Sequence, residues 1–205
     1  FTWAEVWPSS SCLAALFLRE PELVRGLRVA DLGCGLGAAG VGAALAGARD
    51  TVFLDYSPQA LACALATAKA NGCEDAGGGV LAAGGGALAS SLADASPSVR
   101  AEVLDWTVDA AVGAPFDVVV GADVLYDADT VEAFGRTALQ LLGVGGERST
   151  SGERRRRLLV TDRAERTARA ALVAALEGSG AAVEVTPVEV PRAVAAKAAV
   201  EGGLW

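Results

Sequence analysis

Asp31, Gly33, Gly35 and Gly37 are bunched in the run Val29-Ala30-Asp31-Leu32-Gly33-Cys34-Gly35-Leu36-Gly37, where an apolar strand leads straight into alternate glycines and then a helical pattern. Glycine is needed at such a bend because the turn demands unusual backbone angles and because a ligand must approach the main chain with no Cβ in the way. This is the geometry of a nucleotide site. A purely structural tight turn could use the same residues, and a chain with 25 glycines produces chance matches. Gly35, Gly37 and Gly40 also fit G-x-G-x-x-G, the fingerprint of dinucleotide binding.

Asp31 separates the two readings. A carboxylate two positions before the first glycine would face a pyrophosphate unfavourably but would suit a cationic ligand. S-adenosylmethionine is such a ligand, carrying a sulfonium and an ammonium. Further on, Val52-Phe53-Leu54-Asp55 ends in a carboxylate placed to accept hydrogen bonds from two ribose hydroxyls, a role both cofactors share.

Composition removes whole classes of chemistry. The 205 residues contain no histidine, which excludes Ser-His-Asp and Cys-His mechanisms and any zinc site that needs imidazole. Cys12, Cys34, Cys63 and Cys73 form no C-x-x-C pair, so a reduced, cytoplasmic setting without metal or disulfides is expected. A net charge of -8 argues against broad binding to a phosphate backbone, so no stable nucleic-acid partner is expected. Two uncharged stretches, 32–48 and 76–93, are broken by glycines and poor in large apolar side chains, so neither reads as a membrane span. With no methionine and Phe1 first, a preceding segment is expected and targeting stays open.

The elements that must position these residues alternate short apolar runs with helical patterns, which predicts an α/β fold of one domain over 1–205. Strands are expected at 28–32, 51–54, 101–104, 116–121 and 158–161, with a late strand at 182–190. Ser57-Pro58 reads as an N-cap with proline at the first helical position, Leu61, Leu65 and Ala68 as one face, and Asn71-Gly72 as the stop. Thr130 opens another helix with Val131, Phe134, Leu141 and Leu142 inward, and 167–176 forms a third ending at Gly178 and Gly180. Residues 1–27 form a helical cap whose helix starts near Ser9 or Ser10. Residues 74–99 and 143–157 read as flexible insertions.

Taken in order, Val6-Trp7-Pro8, the loop from Asp31 to Gly37, Leu104-Asp105-Trp106 and Gly121-Ala122-Asp123-Val124-Leu125-Tyr126 resemble the class I, seven-strand S-adenosylmethionine-dependent methyltransferases. More narrowly they resemble the family-sixteen methyltransferase-like protein-lysine methyltransferases, whose acidic-x-x-aromatic motif is matched by Asp123 and Tyr126. The resemblance implies a Rossmann-like, doubly wound, mostly parallel sheet of seven strands with helices on both faces. It implies S-adenosyl-L-methionine as cofactor and a protein with a target lysine as partner; the oligomeric state is not legible in the sequence, and a monomer is expected. Gly33, Cys34 and Gly35 would line the methionine portion, Gly37 would also bind the cofactor, Asp31 would sit near the ammonium, and Asp55 would hold the ribose. Trp106 would pack on the adenine with Asp105 near its exocyclic amine, while Trp7 and Ala122 border the pocket.

Asp123 and Tyr126 would face the acceptor near the transferable methyl. Methyl transfer from an activated sulfonium mostly requires positioning and exclusion of water, so the absence of a histidine base is no obstacle. Three alternatives remain at this stage: methylation of a small amine, a nicotinamide-dependent oxidoreductase, and a non-catalytic cofactor-binding module. The four-arginine run at 154–157 reads as a solvated flank of the fifth strand.

Overall fold

A computed structural model describes residues 2–81, 97–109, 115–127, 129–144, 156–163 and 167–179. Short 3₁₀ turns at Thr2–Ala4 and Pro21–Leu23 flank α1 (Pro8–Arg19). Then follow β1 (Arg28–Leu32), α2 (Ala38–Leu45), β2 (Asp50–Asp55), α3 (Pro58–Ala70), β3 (Glu74–Leu81) and β4 (Ser98–Val103). The described chain continues through β5 (Val118–Ala122), α4 (Val131–Leu141), β6 (Arg157–Thr161) and α5 (Ala168–Gly178).

All six strands pair in parallel in the order β3-β4-β2-β1-β5-β6. From β1 the chain first builds outward through β2 and then crosses back to place β5 on the opposite side. That reversal opens a crevice beyond the carboxyl ends of β1, β2 and β5. The seventh strand expected at 182–190 lies outside the described residues.

The central strands are buried on both faces, which is why they read as continuous apolar runs. On one face, Val29, Val118 and Val120 pack against Leu13, Leu16 and Phe17 of α1 and Ala39 and Ala43 of α2. On the same face Phe53, Val99 and Ala101 meet Leu61, Ala64 and Ala68 of α3. On the other, Ala30, Leu32 and Val119 share a core with Phe134, Ala138 and Leu141 of α4 and Leu172 and Leu176 of α5.

The helix after Ser57 forms as its sequence dictates: the Ser57 hydroxyl accepts the Ala60 N–H, and Gly72 takes a left-handed φ of 80° just beyond the end. α1 differs from expectation. It starts at Pro8 with Trp7 as N-cap, because proline lacks only a donor that the first turn could not use internally. The serines are then released for other partners.

Two boundaries are corrected. The stretch 74–99, read as an insertion, opens with β3 and closes with the start of β4. Glu74 and Asp75 pair with Ser98 and Val99, and after a shift in register Val80 and Leu81 pair with Ala101 and Glu102. Between them Gly77, Gly78 and Gly79 imitate a loop in sequence, although an edge strand paired on one side needs few large apolar residues. β4 begins at Ser98, ahead of the expected Ala101, because the polar Ser98 and Arg100 hide the strand's start.

Candidate functional site

β1 ends at Leu32 and the chain turns at once. Gly33 and Gly37 hold φ values of 76° and 80°, a region costly for any residue with a Cβ. At Gly33 the need is doubled, since a Cβ there would lie 2.9 Å from Cζ3 of Trp106 and 3.0 Å from Cγ1 of Val124. Gly37 serves a different contact: its Cβ would strike Ala64 of α3 at 2.8 Å.

The amides of this loop point inward. The N–H groups of Gly33 and Cys34 both donate to the Leu54 carbonyl, at 2.8 and 3.1 Å, and that of Gly37 donates to the Cys34 carbonyl at 2.8 Å. Gly35 N–H donates to Asp55 Oδ2 at 3.0 Å. At the start of α2, where a pyrophosphate would seek donors, Gly40 N–H is already taken by Asp31 Oδ2 at 2.8 Å. An internal carboxylate thus takes one of the donors an external anion would use.

Around the loop lies a pocket of about 270 Å³. Asp31, Gly33, Cys34, Gly35 and Asp55 line it together with Trp7, Trp106, Ala122, Asp123 and Tyr126. Two predicted residues stand apart from it. Gly37 packs beneath against α3, and Asp105 turns its Oδ1 back to accept from the backbone N–H and hydroxyl of Thr107, at 2.9 and 2.6 Å. One oxygen of the side chain predicted for the exocyclic amine is therefore engaged in its own turn.

The electrostatics are one-sided. Among the described residues lining the pocket are four acids, Glu5, Asp31, Asp55 and Asp123, and no lysine or arginine. Asp31 is buried, and its carboxyl is pushed up to about 7, chiefly by desolvation, against the Gly40 amide that lowers it and with a further push from the Asp55 charge. Burial also raises Asp55, opposed by the amides of Ser57, Gly35 and Tyr56. Each Asp55 oxygen takes one backbone N–H and, as a carboxylate oxygen, keeps capacity for a second donor. Burial lifts the Cys34 thiol well above its ordinary value, with Asp31 and Asp55 adding to it, so the group is held as an inert thiol.

Trp106 sits on Gly33 and meets Phe134 edge-on, with ring centroids 5.6 Å apart, so it joins the α4 core to the pocket wall. Trp7 is braced by the Arg163 guanidinium 5.5 Å from its ring centre. Asp123 is buried at a φ of 57° and Tyr126 is half exposed at 51 % on the rim. Sequence reasoning missed Trp3, Glu5 and Tyr56 in the lining. The alternation Trp3-x-Glu5-x-Trp7 was a usable signal, as was the position of Tyr56 directly after the strand-end Asp55.

Comparison with a solved structure settles the architecture. A TehB-like S-adenosylmethionine-dependent methyltransferase from Corynebacterium glutamicum superposes with a TM-score of 0.53 at 20 % identity, covering 82 % of this chain and 71 % of that one. The chain shares the Rossmann-like parallel α/β fold of that protein. Residues 1–81 match the methyltransferase small domain family. The chain also resembles protein-lysine methyltransferases in part of its length. The electron transfer flavoprotein beta subunit lysine methyltransferase of Xenopus laevis is 45 % identical over 58 residues, 28 % of this chain and 24 % of that protein. Its Rattus norvegicus counterpart is 37 % identical over 70 residues, 34 % of this chain and 28 % of that protein. The matches thus span about a quarter of the length of these relatives.

Proposed function

We propose that the chain is an S-adenosylmethionine-dependent methyltransferase that modifies a lysine side chain of a protein. The observation that carries the cofactor reading is the inward turn of the loop amides together with the acidic lining. The N–H groups of Gly33, Cys34, Gly35, Gly37 and Gly40 already have partners within the chain, whereas Asp31 and Asp55 are two desolvated carboxylates without a basic side chain beside them in the lining. That combination favours a cation over an anion and speaks against a nicotinamide dinucleotide.

The pocket fits the cofactor by its donor set. Asp55 can accept the two ribose hydroxyls, Asp31 can face the ammonium, and the bend at Gly33, Cys34 and Gly35 leaves room for the methionine portion. Trp106 offers a broad apolar face for a purine. When bound, the cofactor supplies an activated methyl on a positively charged sulfur.

Asp123 and Tyr126 stand on the acceptor side. A lysine with a pKa of ~10.4 must lose a proton, at about 4.6 kcal/mol at pH 7. An apolar wall such as Tyr126 lowers that cost by disfavouring the ammonium, whereas an ionised Asp123 favours it. Asp123 therefore orients the incoming amine, and the proton leaves to solvent at the half-exposed rim. The protein-lysine assignment is supported by the likeness to the lysine methyltransferases of Xenopus laevis and Rattus norvegicus.

Titration calorimetry with S-adenosylhomocysteine and with NADH tests the cofactor half: binding of the first and not the second is expected, and the reverse would overturn it. Incubation with tritiated S-adenosylmethionine and the electron transfer flavoprotein beta subunit, beside a whole-cell lysate, tests the acceptor half. Label that appears only on small amines would replace protein lysine as the substrate.

A further inference from the structure

Ser9 lies outside the pocket lining, yet its hydroxyl donates to Asp123 Oδ2 at 3.1 Å. Both side chains are buried, and the bond bridges α1 to the end of β5. Thr161, the last residue of β6, closes the junction from the other side. Its hydroxyl donates to the Ser9 carbonyl at 3.2 Å, and its carbonyl accepts the Asp123 N–H at 2.9 Å. Ser9, Asp123 and Thr161 thus form a ring of three hydrogen bonds that joins α1, β5 and β6.

The ring holds an unusual residue. Among the described residues Asp123 is the only non-glycine with a positive φ, a conformation that persists where the surroundings enforce it and that recurs at functional sites. A carboxylate rotates broadly about its terminal torsion, so a donor on one oxygen constrains where the other points. The Ser9 hydroxyl is available for this because Trp7, rather than a serine, caps the helix.

We propose that Ser9 is a positioning residue for methyl transfer: its hydroxyl sets the orientation of the Asp123 carboxylate at the acceptor side of the pocket. The inference rests on the acceptor-side reading of Asp123 given above. α1 carries Ser9 two residues after Trp7, so the same helix end that forms the pocket wall also aligns the acceptor. Misalignment of an acceptor group reduces the rate of transfer and leaves cofactor binding intact.

The test compares the full chain with Ser9→Ala, Ser9→Thr and Asp123→Asn. Each is crystallised with S-adenosylhomocysteine and assayed for transfer to the electron transfer flavoprotein beta subunit. In Ser9→Ala the Asp123 carboxylate is expected to leave its native orientation, with turnover down about tenfold and S-adenosylhomocysteine affinity within twofold of the parent. Ser9→Thr, which keeps the hydroxyl, is expected to restore both orientation and turnover. An unchanged Asp123 orientation in Ser9→Ala would overturn the proposal, as would a loss of cofactor affinity equal to the loss of turnover. Should Asp123→Asn leave turnover unaltered, the acceptor-side reading of Asp123 fails. The carboxylate orientation in Ser9→Ala still decides the role of Ser9, including where the flavoprotein subunit accepts no methyl.

Discussion

Asp31 shows how a single carboxyl can be costly to the fold and useful to the site. Its pKa of about 7 in the folded chain lies above the ordinary ~3.9, with desolvation as the main cause. Between about pH 4 and pH 7 the unfolded chain has given up this proton while the folded chain retains it. Stability therefore falls as pH rises through that window and levels off above it. Asp31→Asn can still accept the Gly40 N–H, so it is expected to remove that slope and to stabilise the protein at pH 8 by about 2 kcal/mol or more, read from thermal melts at pH 5 and 8. The same substitution is expected to weaken S-adenosylmethionine binding. It should also abolish a rise in affinity of about tenfold between pH 6 and 8 that the ionisation of Asp31 gives the parent. A lower melting temperature at both pH values would instead make Asp31 a structural acceptor for α2. Asp55 and Tyr126 separate by position: one is buried beneath the bend, the other half exposed on the rim. Asp55→Ala is expected to cut S-adenosylhomocysteine affinity by more than tenfold in calorimetry, and Tyr126→Ala to slow transfer more than it weakens that affinity. Equal losses for Tyr126→Ala would move Tyr126 into the cofactor wall.

At the scale of elements, the helix–helix contact beneath the pocket is set by glycine. A Cβ on Gly42 of α2 would lie 2.5 Å from Cα of Ala14 in α1, against backbone that cannot swing aside. Gly42→Ala is expected to push the two helices apart and to cost about 1–3 kcal/mol in chemical denaturation. Because α1 carries Trp7 and Ser9, transfer should fall further than stability alone accounts for; a stable Gly42→Ala with full turnover would show that α1 has slack. How far these elements were legible follows from the same packing. β1, buried on both faces, reads as one apolar run, and α3 carries both its cap and its stop in sequence. β3 was illegible because its glycine run has no pattern of its own and gains strand geometry from pairing with β4. In the site, Asp31 and Asp55 could be read because strand ends point into the crevice. Gly37 and Asp105 were expected at the cofactor and lie outside the lining, because a motif cannot tell a glycine that admits a ligand from one that admits a helix. Nor can it show that one oxygen of a carboxylate will accept from Thr107 two residues on. Ser9 was read as a possible cap, and only the tertiary approach of α1 to β5 gives its hydroxyl another partner.

Across the whole molecule the sheet divides its tasks between its two ends. The carboxyl end gathers acids around the pocket, while the amino end gathers an ion cluster in which Asp50 Oδ2 is shared by Arg28 Nε at 3.2 Å and Arg100 Nη2 at 3.1 Å. Arg28 also donates to the Pro115 carbonyl, places its guanidinium 4.8 Å from the Phe116 ring centre, and sends its backbone N–H to Asp117. Arg28, Asp50 and Arg100 stand on β1, β2 and β4, so one carboxylate ties three strands together where the sheet begins. Both arginine side chains are only 10 % exposed, and taking away their common counter-charge leaves two desolvated cations side by side, with Arg100 still facing Glu102 at 3.8 Å. Breaking a buried arrangement of this kind costs about 3–5 kcal/mol, so Asp50→Asn is expected to lower the urea midpoint substantially. The pocket lies at the other end of the strands, about 16 Å away along β2 at ~3.3 Å per residue. Asp50→Asn protein that remains folded should therefore bind S-adenosylhomocysteine with the parent's affinity, which calorimetry well below the urea transition can measure. A loss of affinity in the folded variant would mean that the strands transmit strain from one end of the sheet to the other, and that the bend at Gly33 is held in shape partly by the ion cluster beneath it.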